Sequence, residues 1–230
     1  MATKKATEVI EIRPLDIQKV QIRIIGDTPL ITHKWSEKAK KEMLDAQQGK
    51  KRGTKKSPKD PVDDFKSAAY LLTDPERYPD SAAVADEVRN ATTVEEFNEA
   101  CAKGARFGFP ATALKDAAIS AAYRMGWAKD KVSLRGAFFL DSDIDGLIEI
   151  KSDTPRMRED MVKVGMGTAD LRYRPEFRNW YFDVTISYNA NGGYSLENLL
   201  TMINAGGYTC GIGEWRVERS GQYGMFHVGN

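Results

Sequence analysis

Two stretches of this chain alternate apolar and polar residues with the period of two that a half-buried strand requires. In residues 17–25, Val20, Ile22 and Ile24 face one way and Lys19, Gln21 and Arg23 the other, and Gly26-Asp27-Thr28-Pro29 stops the run. In residues 180–188, Trp180, Phe182, Val184 and Ile186 oppose Tyr181, Asp183, Thr185 and Ser187. Helical signals lie between them. Ser36 is placed to cap a helix that has Glu37 in its first turn and runs through Met43 and Leu44. Residues 63–72 and 93–102 read as short helices around a polar, proline-punctuated stretch. Leu114, Ala118, Ile119, Ala121 and Ala122 form a small-residue stripe over residues 111–125, which suits a helix lying close against a sheet. Ser195 caps a further helix carrying Leu196, Leu199, Leu200 and Ile203, and Gly206-Gly207 is expected to end it.

Residues 136–140 and 147–150 flank a segment ending in Asp145-Gly146, which predicts a hairpin turn. Residues 153–178 lack sustained periodicity, hold Arg156, Arg158, Lys163, Arg172, Arg174 and Arg178, and read as a long excursion of the kind that serves function in compact domains. A terminal strand is expected at residues 225–228. Strand and helix in the first half, then strand, helix and strand in the second, predict an α+β fold. Its expected form is a ferredoxin-like (RRM-like) antiparallel sheet with helices on one face. One domain accounts for residues 1–230, its core over residues 10–228, decorated by a basic loop at 49–61 and the Arg-rich excursion at 153–178.

Composition, 41% hydrophobic and 29% charged, is that of a globular protein, and the two cysteines, Cys101 and Cys210, are too far apart in sequence to suggest a CxxC spacing, so both read as free thiols. No run approaches the roughly 18 apolar residues of a membrane span. The polar residues 1–8 lack the apolar core of a signal peptide, and a cytoplasmic location without membrane attachment is expected. Net charge is only +1, yet residues 34–59 carry ten basic residues against Glu37, Glu42 and Asp45. Within that region residues 49–61 contain six bases, two glycines, two prolines and no large apolar residue, so they cannot pack a core and are expected to form a mobile basic loop.

The most unusual stretch is at the C-terminal end, where Gly211, Gly213, Gly221 and Gly224 interleave with Trp215, Arg216, Arg219, Tyr223 and Phe226. Glycines let a backbone approach phosphates, while aromatics and guanidiniums offer planes on which unpaired bases stack. The plainer reading is a glycine-rich turn beside a core strand, with Trp215 and Phe226 buried and Arg216 paired to Glu214 or Glu218. The spacing matches neither a dinucleotide fingerprint nor a phosphate-binding loop ending in Lys-Ser/Thr.

Three segments together resemble the RAMP superfamily, the ferredoxin-like RNA-binding proteins that build CRISPR effector backbones. They are residues 20–31 (VQIRIIGDTPLI), residues 109–117 (FPATALKDA) and the glycine-rich loop. The chain is also similar to phage-encoded proteins with the same Thr-Pro-Leu-Ile start and Gly-Glu-Trp-Arg finish. The resemblance implies that Lys115 faces a bound strand, that residues 153–178 act as a thumb over it, and that subunits repeat along it as a helical or filamentous homo-oligomer.

These signals lead to a protein that binds single-stranded DNA or RNA without catalysis, cofactor or metal. In a phage its job would be protecting or annealing single-stranded DNA during replication or recombination. Phosphates would be neutralised by Lys34, Lys50, Lys51, Arg52, Lys55, Lys56, Lys115, Arg172, Arg174 and Arg216. Bases would stack on Trp215 or Tyr223, with Arg219 close by. The alternatives are a CRISPR-type backbone subunit or its phage mimic holding RNA, a RAMP-type endoribonuclease using His33 or His227, and a phage structural or adaptor protein. A zinc site from His33, Cys101, Cys210 and His227 lacks ligand spacing, and the adjacent acids Glu95-Glu96 and Glu159-Asp160 read as solvated charge.

Overall fold

The computed structural model describes residues 14–50, 58–164 and 167–229. In chain order they form β1 (Ile17–Gly26), β2 (Leu30–Ile31), α1 (Glu37–Gln47), α2 (Pro61–Ser67) and β3 (Tyr70–Leu71). Then come α3 (Ser81–Asn90), α4 (Val94–Ala102), β4 (Phe107–Pro110), α5 (Ala111–Arg124), α6 (Lys131–Arg135), β5 (Phe138–Leu140) and β6 (Leu147–Ile150). Finally β7 (Arg156–Val164), β8 (Thr168–Phe177), β9 (Tyr181–Asn189), α7 (Leu196–Thr209) and β10 (Phe226–Val228) complete a mixed α+β chain with antiparallel sheets.

The cleanest alternation builds the largest sheet. β1 pairs antiparallel with β9 from Ile17↔Asn189 to Ile25↔Tyr181, β10 adds to the outer edge of β1, and β5 adds to β9, giving the order β10-β1-β9-β5. One face buries Ile24, Phe182, Val184, Ile186, Phe138 and Phe226, and α5 and α7 pack against it. The opposite face leaves Lys19, Gln21, Arg23 and Asp183 exposed. Trp180 enters the core just before β9; its ring lies against Gly26, and its indole N–H donates to the Thr28 carbonyl at 2.8 Å.

Several sequence expectations shift, each for a physical reason. Gly206-Gly207 does not end α7, which continues to Thr209. These glycines serve close packing instead: a Cβ on Gly206 would stand 2.7 Å from the Ala118 backbone nitrogen, and one on Gly207 would run into the Phe226 carbonyl. The Asp145-Gly146 turn forms with both residues at positive φ, but its flanking strands part company, β5 pairing with β9 and β6 with β4. Residues 70–71 are a strand rather than the end of a helix, and α3, whose Val84, Ala85 and Val88 are buried, replaces the expected irregular stretch. Pro61, at the end of the predicted basic loop, starts α2 under an Asp60 cap.

The excursion at 153–178 is a regular hairpin, β7 paired with β8 in register from Arg156↔Glu176 to Val164↔Thr168, and β2 joins the other side of β8. One of its faces is charged and partly buried. On that face Asp160, Arg174 and Glu176 are buried and Arg158 is half-buried, while the other face of β8 buries Pro175 and Phe177; residues 169–177 therefore do alternate apolar and charged with a period of two, and the reading of 153–178 as an excursion without periodicity is corrected. Asp160 is therefore not solvated charge. Cys101 and Cys210 are free, and burial pushes the Cys101 thiol up to about 12. Among the described residues no helix is long and apolar enough to cross a membrane.

Candidate functional site

Segments distant in sequence meet around β2. Leu30 and Ile31 are fully buried, and the Thr32 amide donates to the Pro175 carbonyl at 3.1 Å, tying the strand to the hairpin. The C-terminal loop closes from the other side, with Glu214 N–H donating to Ile31 O and Gly224 N–H to Pro29 O, both at 2.9 Å. Gly213 and Gly224 have φ of +79° and +64°, and a Cβ on Gly213 would lie 2.5 Å from the Ile31 carbonyl oxygen. These two glycines serve the loop's own backbone crossings. Beyond β2 the chain is pinned again, since Thr32 Oγ1 and the Lys34 amide both donate to Ala68 O, and Ser36 Oγ accepts from Ala39 N to start α1.

A chain of ion pairs runs through this junction. Arg158 donates to Asp160 at 2.8 Å and to both Glu176 and the Tyr223 hydroxyl at 2.9 Å, while its guanidinium lies 4.6 Å from the Tyr223 ring centre. Arg178 holds the other Glu176 oxygen at 2.6 Å. Arg174, only 6% exposed, reaches Asp160 at 3.5 Å and Glu214 at 3.6 Å, and Glu214 in turn meets His33 Nδ1 at 3.3 Å. Burial alone would raise the Glu176 carboxyl, but its bonds to Arg158 and Arg178 hold it below the usual carboxylate range. Glu214 is held below it chiefly by its bond to His33, against an opposing burial effect. Burial draws the Arg158 pKa down, and its partners Glu176, Asp160 and Tyr223 outweigh that and raise it.

Two clefts flank His33. The first, about 340 Å³, is lined by Lys34, Trp35, Ser36, Arg172, Tyr173 and Arg174 together with Asp64 and Ser67. Its one carboxylate among the described residues, Asp64, is shifted toward the neutral form by burial, with Lys59 opposing. The second, about 320 Å³, lies between α5 and the glycine-rich loop. Asp116, Glu214 and Glu218 line it against Arg216, so it is the acidic member of the pair.

Lys34, Arg172 and Arg174 therefore converge in one cleft, although Arg172 also pairs with Asp170 at 2.8 Å. Arg216 lines the acidic cleft, where it donates to Glu218 at 3.2 Å. Trp215 is 38% exposed with φ +52°, outside the core, whereas Phe226 belongs to the core. Arg219 is exposed, and Tyr223 is half-buried beneath Arg158. Lys115 lies at the side of β5, 4.1 Å from the Phe139 ring centre, and burial lowers its pKa. Lys50 is exposed and paired with Asp45. Lys51, Arg52, Lys55 and Lys56 lie outside the described residues.

Sequence reasoning passed over Trp35, which is 56% exposed at the rim of the basic cleft. An aromatic between Lys34 and the Ser36 cap was its available signal. It also passed over the ion pair between half-buried Arg158 and buried Asp160. The open face of the large sheet is charge-balanced, with Lys19 on Asp141 and Arg23 on Asp183, and His227 pairs with Asp27 at 2.7 Å. Among the described residues no group of three or more His, Cys, Asp or Glu could hold a metal ion. No protein-family model matches the chain, and a search of curated proteins finds no match.

Proposed function

We propose that this protein binds single-stranded nucleic acid without catalysis, at the basic cleft and its rim, as one of several copies along the strand. The observation that carries the reading is the convergence of Lys34, Arg172 and Arg174 with Trp35 in a single cleft. Cations neutralise phosphates, and an exposed indole gives an unpaired base a stacking surface. The open sheet face supports this choice of site by being charge-balanced, since a strand laid there gains little from Lys19 and Arg23 once Asp141 and Asp183 are present.

A ferredoxin-like core is part of the proposal. Its support is the strand order β10-β1-β9-β5, with α5 between β1 and β5 in the chain and α7 between β9 and β10. Repetition along the strand rests on the resemblance to RAMP backbone subunits.

The test is fluorescence anisotropy with unstructured DNA and RNA oligonucleotides beside a duplex of the same length. Tighter binding of single strands is expected; equal affinity for duplex, or no binding in low salt, would overturn the reading. His33, held by Glu214 between the two clefts, favours a second reading as an endoribonuclease. Cleavage of labelled RNA that disappears in His33→Ala would decide for it, and intact RNA decides against it.

A further inference from the structure

Resting on the single-strand reading and sharpening it, we propose that the basic cleft is an end-recognition pocket, holding the terminal phosphomonoester of a strand on Arg174, Arg172 and Lys34.

Arg174 is the first reason. Its side chain is 7% exposed, and its two terminal nitrogens stand 3.5 and 3.6 Å from their acid neighbours, beyond the 2.7–2.9 Å or so of a well-made charge-assisted bond. A guanidinium has five donors in a rigid fork, and burying them unsatisfied is costly unless a ligand completes the shell. Phosphate oxygens are the partners that fork fits best. The acids that accompany these arginines, Asp160, Glu214 and Asp170, do not line the cleft.

Helix α1 supplies the second reason. Its cap Ser36 and Ala39 of its first turn form part of the wall, so the positive end of an 11-residue helix opens on the same space.

Charge and size then choose the phosphate. Among the described residues the lining itself carries Lys34, Arg172 and Arg174 against Asp64, and the acids that pair with the two arginines stand behind it, so the surface a ligand meets is basic. A terminal phosphate carries about −1.5 to −2 at neutral pH, whereas each internal diester carries one charge. The cleft's 340 Å³ is near the small end of ligand sites, which run from about 300 to 1,000 Å³, so it suits one terminal residue better than a strand passing through. Trp35 on the rim is placed to stack on the terminal base.

The experiment compares one unstructured oligonucleotide, labelled on an internal base, carrying a 5′-phosphate, a 3′-phosphate or neither, and adds competition by a nucleoside monophosphate. One end-phosphorylated form should bind at least about tenfold more tightly than the unmodified strand. Lys34→Gln should remove most of that preference at unchanged melting temperature, and Arg174→Gln should do so if it folds. Equal affinity for all three oligonucleotides overturns the end pocket while leaving strand binding intact. No binding of any overturns both. A mononucleotide that competes as well as the end-phosphorylated strand overturns the strand-end assignment.

Discussion

Replacing Arg158 by methionine should unfold this protein at a markedly lower temperature, although the side chain lies on the charged face of its hairpin. Arg158→Met keeps the aliphatic stem and removes three hydrogen bonds, to Asp160, Glu176 and Tyr223. The two acids are 6% exposed as side chains, so water cannot readily replace the lost partner. Breaking a buried ion pair from one side costs about 3–5 kcal/mol. Glu176 retains Arg178 at 2.6 Å, while Asp160 retains only the long pair to Arg174, so the lower end, about 3 kcal/mol, applies. For a chain of this size each kcal/mol moves the melting temperature by about 2–4 °C, giving a drop of about 6–12 °C. Circular-dichroism melting measures it, and Arg156→Met, exposed at the start of β7, is the control with a shift within about 2 °C. Adding Asp160→Asn to Arg158→Met should restore part of the loss by removing the stranded charge. An Arg158→Met protein that melts within about 2 °C of the parent would refute the claim that charge pairing holds the hairpin.

Gly207→Ala should cost about 1–3 kcal/mol in thermal melting, because a methyl there meets the Phe226 carbonyl, whereas Gly136→Ala, facing open space, should cost little. Glu176 and Glu214 have depressed pKa values in the folded state, so their contribution is present above the ordinary carboxylate range and lost as pH falls through the folded values. Urea midpoints should fall as pH drops below about 4.3, and a midpoint unchanged down to strongly acid pH would contradict this. Trp35→Ala should weaken single-strand binding by about 1–3 kcal/mol with little effect on melting, since the ring is 56% exposed. Unchanged affinity would remove Trp35 from the site.

What the sequence made legible is what obeys short-range periodicity. β1 and β9 were readable from alternation because Ile22, Ile24, Phe182, Val184 and Ile186 turn toward a single apolar layer. The starts of α1 and α7 were readable because Ser36 and Ser195 accept from the amide three residues on, a purely local bond. The hairpin was legible in β8, where Leu171, Tyr173, Pro175 and Phe177 alternate with Arg172, Arg174 and Glu176, and was obscured by β7, whose Met157 and Met161 are exposed and whose Asp160 is buried as a charge. Gly206 and Gly207 misled because glycine serves both helix ends and close packing, and only the proximity of Ala118 and Phe226 distinguishes the two. In the cleft, Lys34, Arg172 and Arg174 were individually nameable, but their meeting depends on β2 pairing with β8, a contact between residues remote in the chain.

Single-strand binding through the basic cleft is tested most directly by the salt dependence of affinity in the parent and in Lys34→Gln. Each neutralised phosphate contributes a slope of about −0.7 in log K against log salt for a single strand, so Lys34, Arg172 and Arg174 give about −0.7 when they share one phosphate and about −2 when each meets its own. Lys34→Gln should bind more weakly in low salt and melt like the parent, with a slope shallower by about 0.7 in the second case. An unaltered slope and affinity in a folded Lys34→Gln protein would contradict the account by moving the strand away from this cleft.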